Sequence, residues 1–385
     1  MIRLNLDQFF TVYNGSGDVV EPIRSHFHCD FNHFIPYIYW SHKSLIEPSQ
    51  LPLEQNKGIL YSSLWKNTTT ITVSGIYEND YEPYTFPVEL YMTNVSLLKS
   101  QLQKCVRRKH TQLAVVTAWT LMKVDFKQFI RRIAIIMNED VYLHTTILPV
   151  IIWITSACTH GYKPSLKVLM WLLGVVKGLC ETKYYDPCVS NVSHDNFDYI
   201  HIDTKRITDH EVNFLYSLLF RRSFGGLKND MVMINNSLHE WHIRFLNKFD
   251  YFSIEINDFE LEYVCPPLDI EMTNNHIIIP ALDFHVYPSL LDIILTRFEN
   301  ILNEYIEHVM KIKHNVTKDD IQEIIWHFNS GINVRNIYYD DDKTTYNKTQ
   351  QVDDDKNELL QLYKRLWNVI KPEYYVIAYK KILSM

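Results

Sequence analysis

The stretch FKQFIRRIAIIMNEDVYL, residues 126–143, decides how this chain is read. Phe126, Phe129, Ile130, Ile133, Ile136 and Met137 recur at intervals of three and four, the period of a helix with one face on a core. Inside that run stands the pair Arg131-Arg132, and the acidic pair Glu139-Asp140 closes it. Charges set in so apolar a segment must be paired or exposed, because isolated burial is costly. On one continuous helix Arg132 and Glu139 face the same side about two turns apart, too far for an ideal i,i+4 pair. The stretch therefore reads as the charged latch of a helical core, its ions bonding neighbouring helices. A functional reading competes with it. The arginines would hold the phosphates of a nucleotide or nucleic acid, and Glu139 and Asp140 are weaker candidates for metal or base chemistry because adjacent helical residues diverge.

Working outward, helical texture covers residues 96–183. Ser96 is the expected N-cap of a first helix carrying Leu97, Leu98, Leu102, Cys105 and Val106. A second helix is expected over 113–124, a third after Asp125, a fourth over 147–158 and a fifth over 166–179, with Gly161 and Pro164 as punctuation. Short connections imply antiparallel neighbours. Neither of the two longest apolar runs suits a bilayer: the first is too short, and Lys167 and Lys177 interrupt the second.

Residues 1–95 lean toward strand, with 71–76 and 84–91 rich in β-branched and aromatic residues. Residues 184–335 read as mainly helical with short strands. Helices are expected over 209–222, 289–313 and 318–329, and a strand over 277–279. Residues 336–385 comprise a polar linker, bracketed by Asp340–Asp342 and Asp353–Asp355, and two closing helices over 359–369 and 374–382. The fold class is thus mainly α (α+β), a helical array with a smaller strand-containing N-terminal part.

The totals bound the function. The 385 residues suffice for two to three domains with a large core. A net charge of −7 excludes a general nucleic-acid coat, although a local basic face remains open. The six cysteines form no CxxC, which fits a reduced, intracellular protein with buried thiols. The N-terminal residues lack the apolar core of a secretory signal. No cofactor is implied.

Further polar groups bear on chemistry. Lys104, Arg107, Arg108 and Lys109 form a basic run, read as a solvated helix face or a nucleic-acid contact. Arg221 and Arg222 precede Gly225-Gly226, Lys228 and Asp230, an arrangement that ends a helix or cradles a phosphate. Asp283 and His285, on an extended segment, would share a side and could act as base and orienter or as metal ligands. His26 and His28, near Cys29, His33 and His42, are the weak candidates for metal. Cys105, Cys158 and Cys180 lie on apolar helical faces, as packing residues do.

The blocks Leu102-Gln103-Lys104-Cys105-Val106-Arg107-Arg108, Phe129-Ile130-Arg131-Arg132 and Glu139-Asp140-Val141, with Ala114 and Ala118 between them, carry a resemblance. Residues 97–180 resemble the helical module that follows the ATPase domain in replication-associated recombination ATPases of the clamp-loader-like group. No GxxxxGK[ST] phosphate loop is present, so the resemblance implies docking or oligomerisation and not ATPase activity. The blocks at 102–108 and 129–141, with Arg221–Gly226, Asp230 and Asp283-Phe284-His285, also resemble an uncharacterised protein family of large DNA viruses of eukaryotes. That resemblance implies no reaction.

The leading expectation is a non-catalytic helical interaction or assembly protein of viral genome replication or maintenance, with a protein partner or self-association. One alternative is a metal-dependent enzyme on nucleic acid, using Asp283, His285, Glu139 and Asp140 with Arg131, Arg132 and Arg222. The other is a non-catalytic nucleic-acid-binding protein.

Overall fold

The computed structural model describes residues 12–13, 19–20, 25–41, 59–65, 69–76, 81–86, 94–186, 205–223, 228–310, 315–331 and 354–385. The protein is mainly α, with a small strand-containing N-terminal part. Ten α-helices occur among the described residues: α1 Val95–Arg107, α2 Thr111–Asp140, α3 Ile147–Thr159, α4 Leu166–Glu181, α5 Asp209–Ser223, α6 Lys228–Leu246, α7 Tyr251–Asp258, α8 Leu290–Met310, α9 Lys318–Asn329 and α10 Asp354–Leu383. No described helix is long and apolar enough to cross a membrane.

The chain folds into two compact units of interleaved segments. The first comprises 1–86, 126–172 and 186–263; the second comprises 87–125, 173–185 and 264–385. The four regions read from texture follow the chain, whereas these units follow space, and each unit draws on several regions. The stretch 97–180 is shared between both. Asp125 marks one seam: its φ of −156° and ψ of 90° interrupt α2. That extended backbone is what an N-cap adopts before a new helix, the role expected of this aspartate.

In the first unit, β3 (Ser25–Asp30), β4 (Tyr37–Ser41), β5 (Ile59–Trp65) and β6 (Thr69–Ile76) form one sheet in the order β4-β3-β6-β5. β3 pairs antiparallel with β4 and parallel with β6, and β5 pairs antiparallel with β6. A separate two-stranded ladder joins β1 (Val12–Tyr13) to β2 (Val19–Val20). α3 and α5 pack on the four-stranded sheet. Phe27 stacks on Trp40 with centroids 4.2 Å apart, and Phe220 from α5 meets both rings edge-on. α3 is buried on all sides from Ile147 to Cys158, which explains why its sequence is apolar throughout rather than striped.

The edge strand β4 is finished by a side chain. The Asn213 carboxamide accepts from the Trp40 N–H at 3.0 Å and donates to the Ile38 carbonyl at 3.1 Å. One amide thus satisfies two of the backbone groups that a further strand would have satisfied.

In the second unit α1 packs on a turn around residues 279–281, and α8, α9 and α10 pack on one another. α9 opens with a capping box in which Thr317 and Asp320 bond each other's backbone N–H.

Several expectations are corrected. Asn94, not Ser96, caps α1, accepting from the Leu97 N–H at 3.0 Å. Residues 277–279 form no strand; two 3-10 turns, Asn274–His276 and Ile279–Ala281, stand there, and Gln101 bonds the His276 carbonyl and the Ile278 N–H in place of a strand partner. Residues 81–86 make one isolated bridge, Pro83 with Ser165, and the rest of 84–91 lies outside the described residues. The two closing helices are one, with Pro372 inside α10. α6 and α7 were not foreseen as individual helices. The turn at Gly225-Gly226 and the linker at 336–353 lie outside the described residues.

Among the described cysteines none is bonded to another. Cys29, Cys105, Cys158 and Cys180 are buried, and Cys265 is exposed.

Candidate functional site

The structure distributes the sequence-derived candidates over both units. Glu139, Asp140, Arg131, Arg132, Arg221 and Arg222 belong to the first, and Lys104, Arg107, Arg108, Asp283 and His285 to the second.

In the second unit the basic run on α1 faces inward rather than solvent. Lys104 and Arg107 are each 4% exposed. The Lys104 ammonium donates to Asp283 Oδ2 at 2.5 Å and to Ser100 Oγ at 2.7 Å. Burial lowers the Lys104 ammonium from its ordinary value, an effect that Asp283 offsets in part. For Asp283 burial pushes upward, but the Lys104 charge, aided by hydrogen bonds from His285 and Lys104, holds the carboxyl well below the usual range. Asp283 is therefore a paired structural anion. Its segment is a turn, not a strand: the His285 N–H bonds Asp283 Oδ1 at 2.9 Å. His285 itself is exposed, with Nδ1 3.4 Å from the same oxygen.

Arg108 spans from α1 to the end of α9, donating to the Asn329 carbonyl at 2.5 Å and the Ser330 carbonyl at 3.1 Å. Arg107 reaches the Ser330 carbonyl at 3.4 Å. These guanidiniums satisfy carbonyls that a helix C-terminus leaves open and place positive charge where its dipole favours it. Gly331 follows with a φ of +85°, and a Cβ there would stand 2.5 Å from Arg108 Nη1. Tyr374 on α10 completes the assembly, donating to the Leu282 carbonyl at 2.8 Å and accepting from Asn329 Nδ2 at 2.6 Å. Burial first, then the Asp283 charge, push its hydroxyl well above the ordinary value.

In the first unit Arg131 lies within electrostatic reach of Arg221 near the end of α5. The Arg221 guanidinium is lowered to about 10, by burial first and then by the Arg131 charge, with Asp230 opposing. Burial also lowers Arg222 to about 10. Arg131 and Arg221, one arginine from each of two basic pairs singled out in the sequence, thus share one neighbourhood. Arg132 and Glu139 are half-buried, and Asp140 is buried. The side chains of Lys228, His26 and His28 lie outside the described residues, as does His42. His33 is exposed and 3.7 Å from Asp30. Among the described residues no group of three His, Cys, Asp or Glu side chains is placed to hold a metal ion.

A polar cluster in the first unit was not anticipated. Thr145 donates its N–H to Glu255 Oε1 at 2.5 Å and its hydroxyl to Glu255 Oε2 at 2.9 Å, and its Oγ1 lies 2.9 Å from His210 Nε2. His144 Nδ1 is 3.4 Å from Glu255 Oε2 and accepts from the Thr146 N–H at 3.3 Å. Burial raises Glu255 to about 7, against the pull of the Thr145 hydrogen bonds. Burial, then the neighbouring His210, lowers His144 to about 3. A carboxyl poised near neutrality beside two imidazoles has the makings of an acid–base centre. Yet Glu255, Thr145 and His144 are all buried, and the small cleft in this unit is lined by other residues: Phe31, His33, Pro36, Lys167, Trp171 and Tyr263 among them. The one signal available in sequence was a histidine inside the apolar run VYLHTTILPV, where burial demands a partner.

The outer face of α10 differs in kind from these sites. Its inner row, Leu362, Leu366, Ile370, Tyr374, Ala378 and Ile382, is buried. Val376, Tyr379 and Leu383 stand apart from that row and are 44%, 51% and 47% exposed. Spaced by three and four, they make one stripe on the helix.

No family model, curated protein or solved structure matches this chain.

Proposed function

We propose that the chain is a non-catalytic helical interaction module, working through protein contacts. The exposed stripe Val376, Tyr379 and Leu383 on α10 carries this reading. Three large apolar side chains at helical spacing, on a helix anchored by its other face, are the features of a helix-docking surface. Two further observations support it. Lys104, Arg107, Arg108 and Asp283, the side chains best suited to phosphate or acid–base chemistry in the second unit, serve the fold instead. In the first unit Phe252 and Ile256, four residues apart on α7, are also strongly exposed. The resemblance to a clamp-loader-like helical module points toward docking as well and suggests genome replication or maintenance as the setting, and the second resemblance suggests a viral context.

The test is a photo-crosslinking residue at Val376 in the full chain, expressed in its native cell. Protein adducts are expected at 376 in excess over the same residue at the exposed Lys364. Equal yields at the two positions overturn the reading.

A second reading rests on Arg131 lying near Arg221. An anion such as a nucleic-acid phosphate would relieve that repulsion. It requires single-strand binding that falls steeply with salt and weakens in Arg131→Gln.

A further inference from the structure

We propose that the occupant of the α10 stripe is a second copy of this chain, with the two α10 helices paired antiparallel about a two-fold axis. The proposal rests on the interaction reading above and adds the partner.

The spacing comes first. Val369, Pro372, Val376, Tyr379 and Leu383 follow one another at three, four, three and four residues, which is the a/d seam of a heptad. A seam of that period is complementary to another helix of the same period, and a stripe that meets itself about a two-fold axis generates a closed dimer rather than a fibre. In the antiparallel register Val376 lies opposite the partner's Tyr379, and Pro372 opposite the partner's Leu383. Bulky and small residues then alternate along the seam, as interdigitating side chains require.

Charge decides the orientation. Glu373 and Lys380 occupy the same flanking position of successive heptads, directly after Pro372 and Tyr379. Antiparallel helices bring like flanks together, so Glu373 meets the partner's Lys380, and symmetry repeats the pair. Parallel helices would set Glu373 against Asn368 and Lys380 against Tyr375, with no ion pair. Lys380 is exposed and makes no ion pair among the described residues. Its neighbours are otherwise engaged, Lys371 over the Tyr375 ring and Lys381 over the Tyr287 ring. Glu373 already pairs with Arg297 of its own chain, so the partner's Lys380 would extend an existing ionic contact. The seam is short, and interfaces of small area give weak, concentration-dependent association.

Sedimentation equilibrium of the full chain over a wide concentration range tests this. The expected result is a weight-average mass rising from 45.8 kDa toward twice that value, and a Tyr379→Glu variant that keeps its helical circular dichroism but stays monomeric. Glu373→Lys and Lys380→Glu should each weaken dimerisation, roughly tenfold or more. Mixing these two variants should restore it as a heterodimer, because both flanking pairs become complementary again. A wild type that stays monomeric, dimerisation unaffected by Tyr379→Glu, or no recovery on mixing overturns the self-pairing. Photo-adducts at Val376 with other proteins, alongside a monomeric wild type, would overturn only the identity of the partner and leave the interaction reading standing.

Discussion

Lys104 and Asp283, 179 residues apart in sequence, meet through a 2.5 Å hydrogen bond between an ammonium and a carboxylate that are both almost sealed from solvent. Removing one partner of such a pair strands the other, at a cost of about 3–5 kcal/mol, whereas replacing both by apolar residues is often near neutral. Asp283→Asn and Lys104→Met should each lower the urea midpoint strongly, and Lys104→Met/Asp283→Leu should recover much of the loss. The acid limb follows from the depressed Asp283 carboxyl. Its contribution is present above the unfolded value of about 3.9 and is lost as pH falls toward the lower folded value. A double variant whose stability below pH 4 tracks that of wild type would contradict this.

Glu255 has the opposite sign. Its carboxyl titrates at about 7 in the fold and at about 4.3 when unfolded. Between these values the unfolded chain sheds a proton that the native chain keeps, so stability falls as pH rises and levels off above 7. His144, lowered to about 3 against an unfolded value of about 6.5, pulls the other way, its stability contribution growing as pH rises through that interval. In wild type the two slopes oppose each other between about 4.3 and 6.5. Glu255→Gln leaves only the histidine slope. Its stability relative to wild type should climb by about 3 kcal/mol from pH 4 to 7.5, read by urea denaturation at each pH.

Asn213 offers a local test. Asn213→Ala removes both hydrogen bonds to β4 and should cost about 1–3 kcal/mol. Hydrogen exchange should locate the loss, with the Trp40 amide losing protection far more than amides inside the β3–β6 pairing.

At Gly331 a methyl group meets two obstacles, a φ of +85° and Arg108 Nη1 at 2.5 Å. Gly331→Ala should destabilise by about 1–2 kcal/mol from the backbone alone and by more while Arg108 is present. Placing it in an Arg108→Ala background should recover the contact component only, which a double-mutant cycle resolves.

What the sequence made legible follows from its periodicity. Helices α3, α4, α5, α8 and α9 were expected within a few residues of their ends because apolar spacing is a local property. α10 misled because Pro372 is locally a helix breaker. Here it sits on the exposed side, and the buried row from Leu366 to Ala378 holds the helix through it. The candidate residues were named, but their pairings were not. The basic run of α1 looks solvated as a string of charges, and nothing local reveals that Asp283 and the end of α9 will receive it. Thr145 and Glu255 were missed for the same reason: neither belongs to a spacing motif, and 110 residues separate them.

The thiols supply a clock. Burial pushes Cys105 and Cys158 up to about 12 and Cys29 well above its ordinary value, so at neutral pH these sulfurs carry almost no thiolate. An alkylating reagent reaches Cys265 at once and the buried four only when the fold opens. Two of those four, Cys29 and Cys158, sit in the first unit, and Cys105 and Cys180 in the second. The order in which they are labelled therefore reports which unit opens first, without any change to the chain.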